Sequence, residues 1–550
     1  MTSKQEFEDD LIKLLCTGIP FRLFDNPTLK KYLDPISIQL TSTKVNSKNI
    51  NVLLTNEYNL LAQKIIKIMS GTPFNLQCDG LTTFGECYVG VNTQIFHREV
   101  IISINIGIVK VVGGTDSANL LVHVQNLLSK FDLDIKNCIC ITSDNGSNYI
   151  KLCKDIKLLL RSTDNTDHRT NQKNQHHQKL NTKEIDKHII DELESVEVLS
   201  TAFFENLRCG LHTLQLAIHD IAHLSKDIHD KCRDISKLLR LPAYREELNQ
   251  LDKAIPSLDN LTRWNSTYTM VKSVFSLREF MEEKSKWVPE LLIKPDMLVS
   301  MQEYLSAHVI CYDFCIKMQG VNVSCSDFYI EWLLCVSDLE ALKENFYAEF
   351  LANSMKKRSE ILFKPFIWRI IIFFDPRYKT CIGISECDQI KQILTNIYNS
   401  NANKARKNEN APAKKSSSNV DIDYIKEEGL KKKERKMNLL KSLSTRNTPV
   451  KIHETYDTQN LCREIDSYYN SDVVADDDMP PLRFWVTKQT IYPTLYELSS
   501  IFLCIPPTQV SVERSFSSFN FIYSDLRCNL DQDTLEKLIF VKLNRENLKN

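Results

Sequence analysis

The sequence predicts a mixed α/β domain interrupted by a large all-helical insertion and preceded by a small N-terminal helical domain. Three observations carry this. Residues 74–112 switch to period-two alternation among β-forming residues. Most of the remaining chain repeats its apolar residues at intervals of three and four. The 550 residues include only 13 Gly, about a third of the ordinary usage of ~7%, which suits long helices with few tight turns.

Residues 1–70 read as a helical domain, with Phe7, Leu11, Leu14 and Leu15 on one face and Tyr58, Leu61, Ile65 and Met69 on another. It could contact DNA or a second copy, or simply pack as an accessory. Three strands follow, Phe74–Thr83, Cys87–Phe96 and Val100–Val112. Ala118, Leu121, Val122, Val124, Leu127 and Leu128 mark an amphipathic helix, Asn137–Ser143 a strand apolar on both faces, Ser147–Leu160 a second helix and Phe203–Arg208 a fifth strand. The order βββαβα and then β is the ribonuclease-H-like arrangement, here over residues 71–209. Within it, residues 162–200 are rich in Asn, Gln, His, Lys and Asp and read as a disordered insertion. His168, His176, His177 and His188 have no fixed spacing and no Cys partners, so they suit a solvated loop better than a metal site.

Residues 210–400 form the helical insertion. Its core stripes are expected at Leu305, Val309, Tyr312 and Ile316, and at Trp332, Val336, Leu339, Leu342, Phe346 and Phe350. Residues 401–450 are a basic linker: Lys404 to Lys441 holds twelve Lys or Arg against six Asp or Glu, densest at Lys431–Lys436. Such a run is a solvated face, a nuclear address or a phosphate contact. Residues 451–550 return to helix at Tyr492–Ile505, Thr508–Tyr523 and Thr534–Asn544.

Composition narrows the class. With 43% hydrophobic and 25% charged residues the chain can build two to four ordinary domains. Its 69 Lys or Arg balance 70 Asp or Glu, so any basic surface is local. Seventeen Cys, with no Cys-x-x-Cys pair and no secretory leader, point to reduced thiols inside a cell. No apolar run approaches the ~20 residues of a membrane span.

The chemistry is expected where three carboxylates meet. Asp79 lies late in the first strand, in Cys78-Asp79-Gly80, and Asp144 ends the fourth, in Thr142-Ser143-Asp144-Asn145-Gly146. Glu513 follows Pro506-Pro507-Thr508, on a helix that Thr508 could cap and whose buried side holds Val512, Phe516 and Phe519. Each Asp alone reads as a turn former, and Glu513 alone as half of a surface pair with Arg514. Jointly, parallel strands would bring the carboxylates to one sheet edge, where like charges need cations to neutralise them. Two Mg²⁺ or Mn²⁺ ions suit such oxygen donors, and phosphoryl transfer suits those ions.

Six segments in order resemble the hAT superfamily of DNA transposases: Cys78-Asp79-Gly80; Thr142 to Asn148; Leu207-Arg208-Cys209-Gly210-Leu211-His212 and the residues to Leu216; Thr262-Arg263-Trp264-Asn265-Ser266-Thr267; Phe374-Asp375-Pro376-Arg377-Tyr378-Lys379; and Val512-Glu513-Arg514-Ser515-Phe516-Ser517. The resemblance extends from about Gly18 to Asn547. It implies a ribonuclease-H-like catalytic domain closed by a C-terminal dimerisation region at Tyr492–Asn547, and a nuclear DNA-binding protein that forms a homodimer or higher homo-oligomer. It also implies Asp79, Asp144 and Glu513 as the catalytic, metal-binding triad, with Arg263, Trp264, Cys209 and His212 at the DNA. The Trp264 indole would stack on a flipped base. Cys209, His212, His219 and His223 are too closely spaced for a zinc finger. Two departures stand out. No Cys and His pairs of a BED finger precede Cys78, and Leu81 replaces the Trp that many members carry after the first Asp.

Three functional readings follow. The first is a transposase that cuts and joins DNA, and the second a catalytically inactive descendant acting as a dimeric, DNA-associated regulator. The third, an unrelated ribonuclease-H-like nuclease, leaves the Arg263-Trp264 and C-terminal motifs unexplained.

Overall fold

The computed structural model describes residues 3–164, 203–260, 265–320, 323–405, 435–436, 438–440, 442–443, 459–471, 479–523 and 530–548. The chain divides into two compact units. One comprises Met1–Leu207, Arg369–Asp423 and Thr445–Asn550, and the other Arg208–Trp368 and Tyr424–Ser444. The histidine-bearing tract at 165–200, Arg263, Trp264 and most of the basic linker lie outside the described residues. Among the described residues no helix is long and apolar enough to cross a membrane.

The first unit begins with three helices whose starts are written locally. Ser3 and Glu6 form a reciprocal capping box on α1 (Lys4–Cys16), Asn26 caps α2 (Pro27–Thr41), and Asn46 caps α3 (Ser47–Met69). The strands are β1 (Phe74–Thr83), β2 (Glu86–His97) and β3 (Val100–Lys110). After them come α4 (Ser117–Ser129), β4 (Cys138–Ser143), α5 (Ser147–Asp164) and β5 (Glu205–Arg208). All five strands join one mixed sheet in the order β3-β2-β1-β4-β5. β1 runs antiparallel to β2 and parallel to β4. Every residue of β4 is buried, as an apolar run covered on both faces should be. Differences from the sequence expectation are confined to element ends: β3 stops at Lys110, β5 starts at Glu205, and α5 continues to Asp164.

The second unit is helical: α6 (Gly210–Asp220), α7 (Lys226–Leu239), α8 (Pro242–Gln250), α9 (Ser266–Ser276), α10 (Arg278–Lys284), α11 (Pro295–Met318), α12 (Cys325–Ala341) and α13 (Phe346–Leu362). Trp332, Trp368, Phe314, Phe328 and Phe363 fill its core, and the Trp332 indole N–H donates to Ser359 Oγ at 2.8 Å. Both expected stripes need correction. On α11 the buried face is Tyr304, His308, Cys311 and Cys315, leaving Leu305, Val309 and Tyr312 at its margin and Ile316 exposed. The longer stripe breaks after Ala341, where Glu344 takes a left-handed φ of 68°. Past that break Tyr347 and Leu351 turn inward while Phe346 and Phe350 face out.

Returning to the sheet unit, α14 (Ile367–Phe374) leads into α15 (Ile384–Ala405). The final segments are α16 (Gln459–Asn470), α17 (Pro481–Lys488), α18 (Pro493–Phe502), α19 (Val510–Ile522) and α20 (Gln532–Leu548). The apolar end of α14 has its carbonyls satisfied from afar: Tyr468 Oη donates to Phe373 O at 3.0 Å and Trp485 Nε1 to Phe374 O at 2.7 Å. In the following Asp-Pro-Arg-Tyr-Lys turn, Arg377 grips buried Asp375 with two nitrogens at 2.9 and 2.7 Å. Fully buried Lys379 donates to Tyr468 O, Ser471 O and Ser471 Oγ at 2.7–2.8 Å.

Helix α20 ties the two ends of the chain together. Arg545 is buried and reaches Asp9 Oδ1 at 2.5 Å and Glu57 Oε1 at 2.8 Å, joining α1 and α3. Asn544 works on the outer edge of β3: its Oδ1 accepts from Asn105 N and its Nδ2 donates to Asn105 O, both at 2.8 Å. A side-chain amide thus supplies the rung a sixth strand would have supplied. Leu495, Leu498, Phe502, Leu535, Leu538 and Ile539 are all buried within the chain.

Candidate carboxylate site

Strand register brings the first two carboxylates together. Cys78 on β1 pairs with Ser143 on parallel β4, so the next residues, Asp79 and Asp144, leave neighbouring strands at the same edge. The third carboxylate arrives on α19, which can lie close to the sheet because β2 carries Gly90. A Cβ at Gly90 would stand 2.8 Å from Val512 Cγ1 and 2.8 Å from Phe516 Cε1, so only glycine admits the helix at this height. Val512, Phe516 and Phe519 are buried, as their spacing predicts, leaving half-buried Glu513 beside that apolar stripe.

A polar clamp fixes the start of this helix. Gln77 Nε2 donates to Thr508 O at 2.6 Å, Thr142 Oγ1 to Pro506 O at 2.8 Å, and Asn75 Nδ2 to Cys504 O at 3.3 Å. Asn92 Nδ2 donates to Ser511 Oγ at 3.0 Å and Ser515 Oγ at 3.1 Å, while its own oxygen accepts from Asn105 Nδ2 at 2.7 Å. Ser511 Oγ donates to Gln77 Oε1, and Gln509 Nε2 to Cys78 O. Thr508 does not cap the helix. The capping position falls to Gln509, whose side chain makes no cap bond and is spent on the strand instead. Reading the sequence missed this clamp, since polar residues inside strands carry no period of their own. The one available signal was Asn and Gln at positions 75, 77, 92 and 105, where an inward strand face should be apolar.

The site's electrostatics follow from burial and like charge. Gly80 N–H donates to Asp79 Oδ1 at 2.8 Å and favours the charged form. Even so, burial lifts the Asp79 carboxyl to about 7, and the charges of Asp144 and Glu513 push the same way. Burial also lifts Glu513 to about 7, opposed by neighbouring Arg514. Asp144 turns one oxygen back to Gly146 N–H at 2.9 Å, ahead of α5. Tyr149, in the first turn of α5, is buried, and the same two aspartates help hold its phenol protonated, behind burial itself.

Asp79 therefore feels the charges of Asp144 and Glu513, without the three being drawn into a cage. Among the described residues, no group of three or more His, Cys, Asp or Glu converges as metal ligands would. As a donor set the three still fit a hard divalent cation. Two are held up near 7 by burial, and a cation entering between them offsets the cost of ionising them.

Other residues singled out in the sequence lie elsewhere. Cys209 and His212 belong to the helical unit: Cys209 is buried at the start of α6, its carbonyl accepting from Thr213 N and Oγ1 at 3.0 and 2.9 Å, and His212 is half-buried a turn later. His219 and His223 are exposed. Leu81 is partly buried against the core of the sheet unit.

Comparison with known proteins places parts of both units beside known domains. Residues 464–544, from α16 through α20 and including Glu513, match the hAT family C-terminal dimerisation region. Residues 207–312 match the ZBED1 RNase-like helical domain and lie almost wholly within the helical unit. Mouse zinc finger BED domain-containing protein 6 is 31% identical over 87 residues, which is 15% of this chain and 9% of that protein. Together these matches support a hAT-family transposase-like protein.

Proposed function

We propose that the sheet unit is a ribonuclease-H-like domain and that the protein acts on DNA by divalent-metal-dependent phosphoryl transfer, cutting and joining strands. The observation that supports this reading is that Asp79 on β1 feels the charges of both Asp144, at the end of parallel β4, and Glu513 on α19. Structure alone gives no reason to bury like charges beside one another. Asp79, Asp144 and Glu513 would hold Mg²⁺ or Mn²⁺. Bound there, such ions activate water or a 3′-hydroxyl and stabilise the leaving oxygen. For its part the chain supplies fixed carboxylates: β1 and β4 orient the two aspartates, and the clamp from Gln77 and Asn92 keeps Glu513 from sliding along the sheet. Asp79 and Glu513 must each give up a proton as they take up a cation, so neutral pH poises the site between its two states.

The family match at residues 464–544 supports a homodimer, and action on chromosomal DNA would place the protein in the nucleus. The second reading is a catalytically inactive, dimeric, DNA-associated regulator. The absence of a converged ligand group among the described residues favours it. Conversion of supercoiled plasmid to open circle separates the two. Metal-dependent catalysis requires nicking with Mn²⁺ that EDTA stops and that Asp79→Asn, Asp144→Asn and Glu513→Gln each abolish. DNA binding without nicking in Mn²⁺ supports the regulator.

A further inference from the structure

One side chain at the carboxylate edge is left without a task. Tyr149 enters from α5, five residues after Asp144, and lies over β1 beside Asp79. A Cβ built on Gly80 would stand 3.1 Å from Tyr149 Oη and 4.0 Å from its Cε2. The next residue after Asp79 is thus a glycine above which a phenol hydroxyl sits. The ring is only 8% exposed, and its hydroxyl, which has no hydrogen bond to a described residue, is not one of the side-chain oxygens sealed from solvent without a partner. Backbone N–H groups of Gly80 and Gly146 already satisfy one oxygen each on Asp79 and Asp144. A hydroxyl left open at this edge is free to donate to a ligand that reaches it. An aromatic core residue would do as well with Phe, so packing does not account for the oxygen.

We propose that Tyr149 is a positioning residue whose hydroxyl donates to a non-bridging phosphate oxygen of a DNA strand drawn to the Asp79, Asp144 and Glu513 site. This rests on the metal-dependent reading above. The carboxylates repel a phosphate unless cations lie between them, so the Tyr149 contact forms only with the cation bound. Gly80 keeps the approach open, since any side chain there would meet the phenol oxygen.

The test uses the full chain, a fluorescent single-stranded oligonucleotide, and Ca²⁺ to support binding without cutting. Tyr149→Phe keeps the ring and should melt at the wild-type temperature. It should weaken Ca²⁺-dependent oligonucleotide binding about tenfold, the scale of a hydrogen bond to a charged group. Binding in EDTA should stay within about twofold of wild type, because the sequence-independent backbone contacts are untouched. Tyr149→Phe that binds as tightly as wild type in Ca²⁺ overturns the proposal. A separate measurement isolates the underlying reading: Tb³⁺, another hard oxygen-seeking ion, should give protein-sensitised emission that Asp79→Asn abolishes and that Tyr149→Phe dims by removing the nearest phenol. Wild-type protein with no Asp79-dependent Tb³⁺ emission defeats the metal site and Tyr149's role with it. Intact Tb³⁺ binding with unaltered Tyr149→Phe affinity defeats Tyr149 alone.

Discussion

Asp79 and Gly90 face each other across the β1–β2 ladder as register partners, and α19 descends on the sheet at that glycine. One position of one strand pair therefore sets both the first carboxylate and the height of the helix that brings the third.

Gly90→Ala should force Val512 and Phe516 away from the sheet. Overpacking of this kind costs about 1–3 kcal/mol, read as a lower denaturant midpoint. It should also weaken Mn²⁺ binding, measured by electron paramagnetic resonance of the free ion. Gly107→Ala is the control: its Cβ would stand 2.6 Å from Leu127 Cδ2, the far end of a flexible side chain. That variant should leave Mn²⁺ binding unchanged.

The proposed metal site should respond to pH in one direction. Asp79 and Glu513 both titrate near 7 in the fold, above their ordinary values of 3.8 and 4.5. Groups raised in this way stabilise the metal-free fold below their unfolded pKa, and that contribution is lost as pH rises through about 7. Melting of the metal-free protein should accordingly show these two groups destabilising it between about pH 4 and 7, and Asp79→Asn should flatten the trend. Mn²⁺ affinity should rise over the upper part of that window, with proton release detectable by calorimetry in buffers of different ionisation enthalpy. Affinity that is flat between pH 6 and 8 would argue against these carboxylates as ligands.

Asn92→Ala should remove two donated hydrogen bonds and leave Asn105 Nδ2 unsatisfied in the core. The expected loss is about 1–3 kcal/mol of stability. Because the clamp holds Ser511 and Ser515, two residues before and two residues after Glu513, nicking should fall more steeply than folding. Comparing kcat with the denaturant midpoint for this variant checks that separation.

Leu538→Ala tests where the late apolar stripe spends its area. The side chain is buried within the chain, so truncation should cost about 2–5 kcal/mol while light scattering reports an unchanged oligomeric state. Dissociation of the oligomer without loss of stability would place Leu538 at a subunit interface instead.

Much of the fold was legible because it follows two simple periods. Alternation over 74–112 marked three strands, and the apolar run at 138–143 marked the strand buried on both faces. Asp79, Asp144 and Glu513 stand out only as a set, each being an ordinary turn or surface residue alone, and the role proposed for them awaits the plasmid assay. Errors came where burial depends on neighbours. Leu305, Val309, Tyr312 and Ile316 keep perfect helical spacing, yet the core lies one step around α11, at Tyr304, His308 and Cys311, where Tyr and His rings pack together. The Phe346 and Phe350 positions failed because a left-handed residue at Glu344 resets the phase of the next helix. Thr508 looked like a cap from composition, but the strand needed its carbonyl. The buried Asn and Gln of the clamp were invisible because their partners lie more than 400 residues away in sequence.

Asn544's grip on the edge of β3 has a consequence for synthesis. The outer rung of that strand is complete only when the last helix leaves the ribosome, roughly 20–90 s after β3 itself at ordinary elongation rates. Throughout that interval the nascent chain carries an open strand edge of the kind that recruits other strands. A premature stop anywhere before α20 leaves that edge without its Asn544 rung, so truncated products of this chain should pair with other strands and aggregate more readily than the full chain.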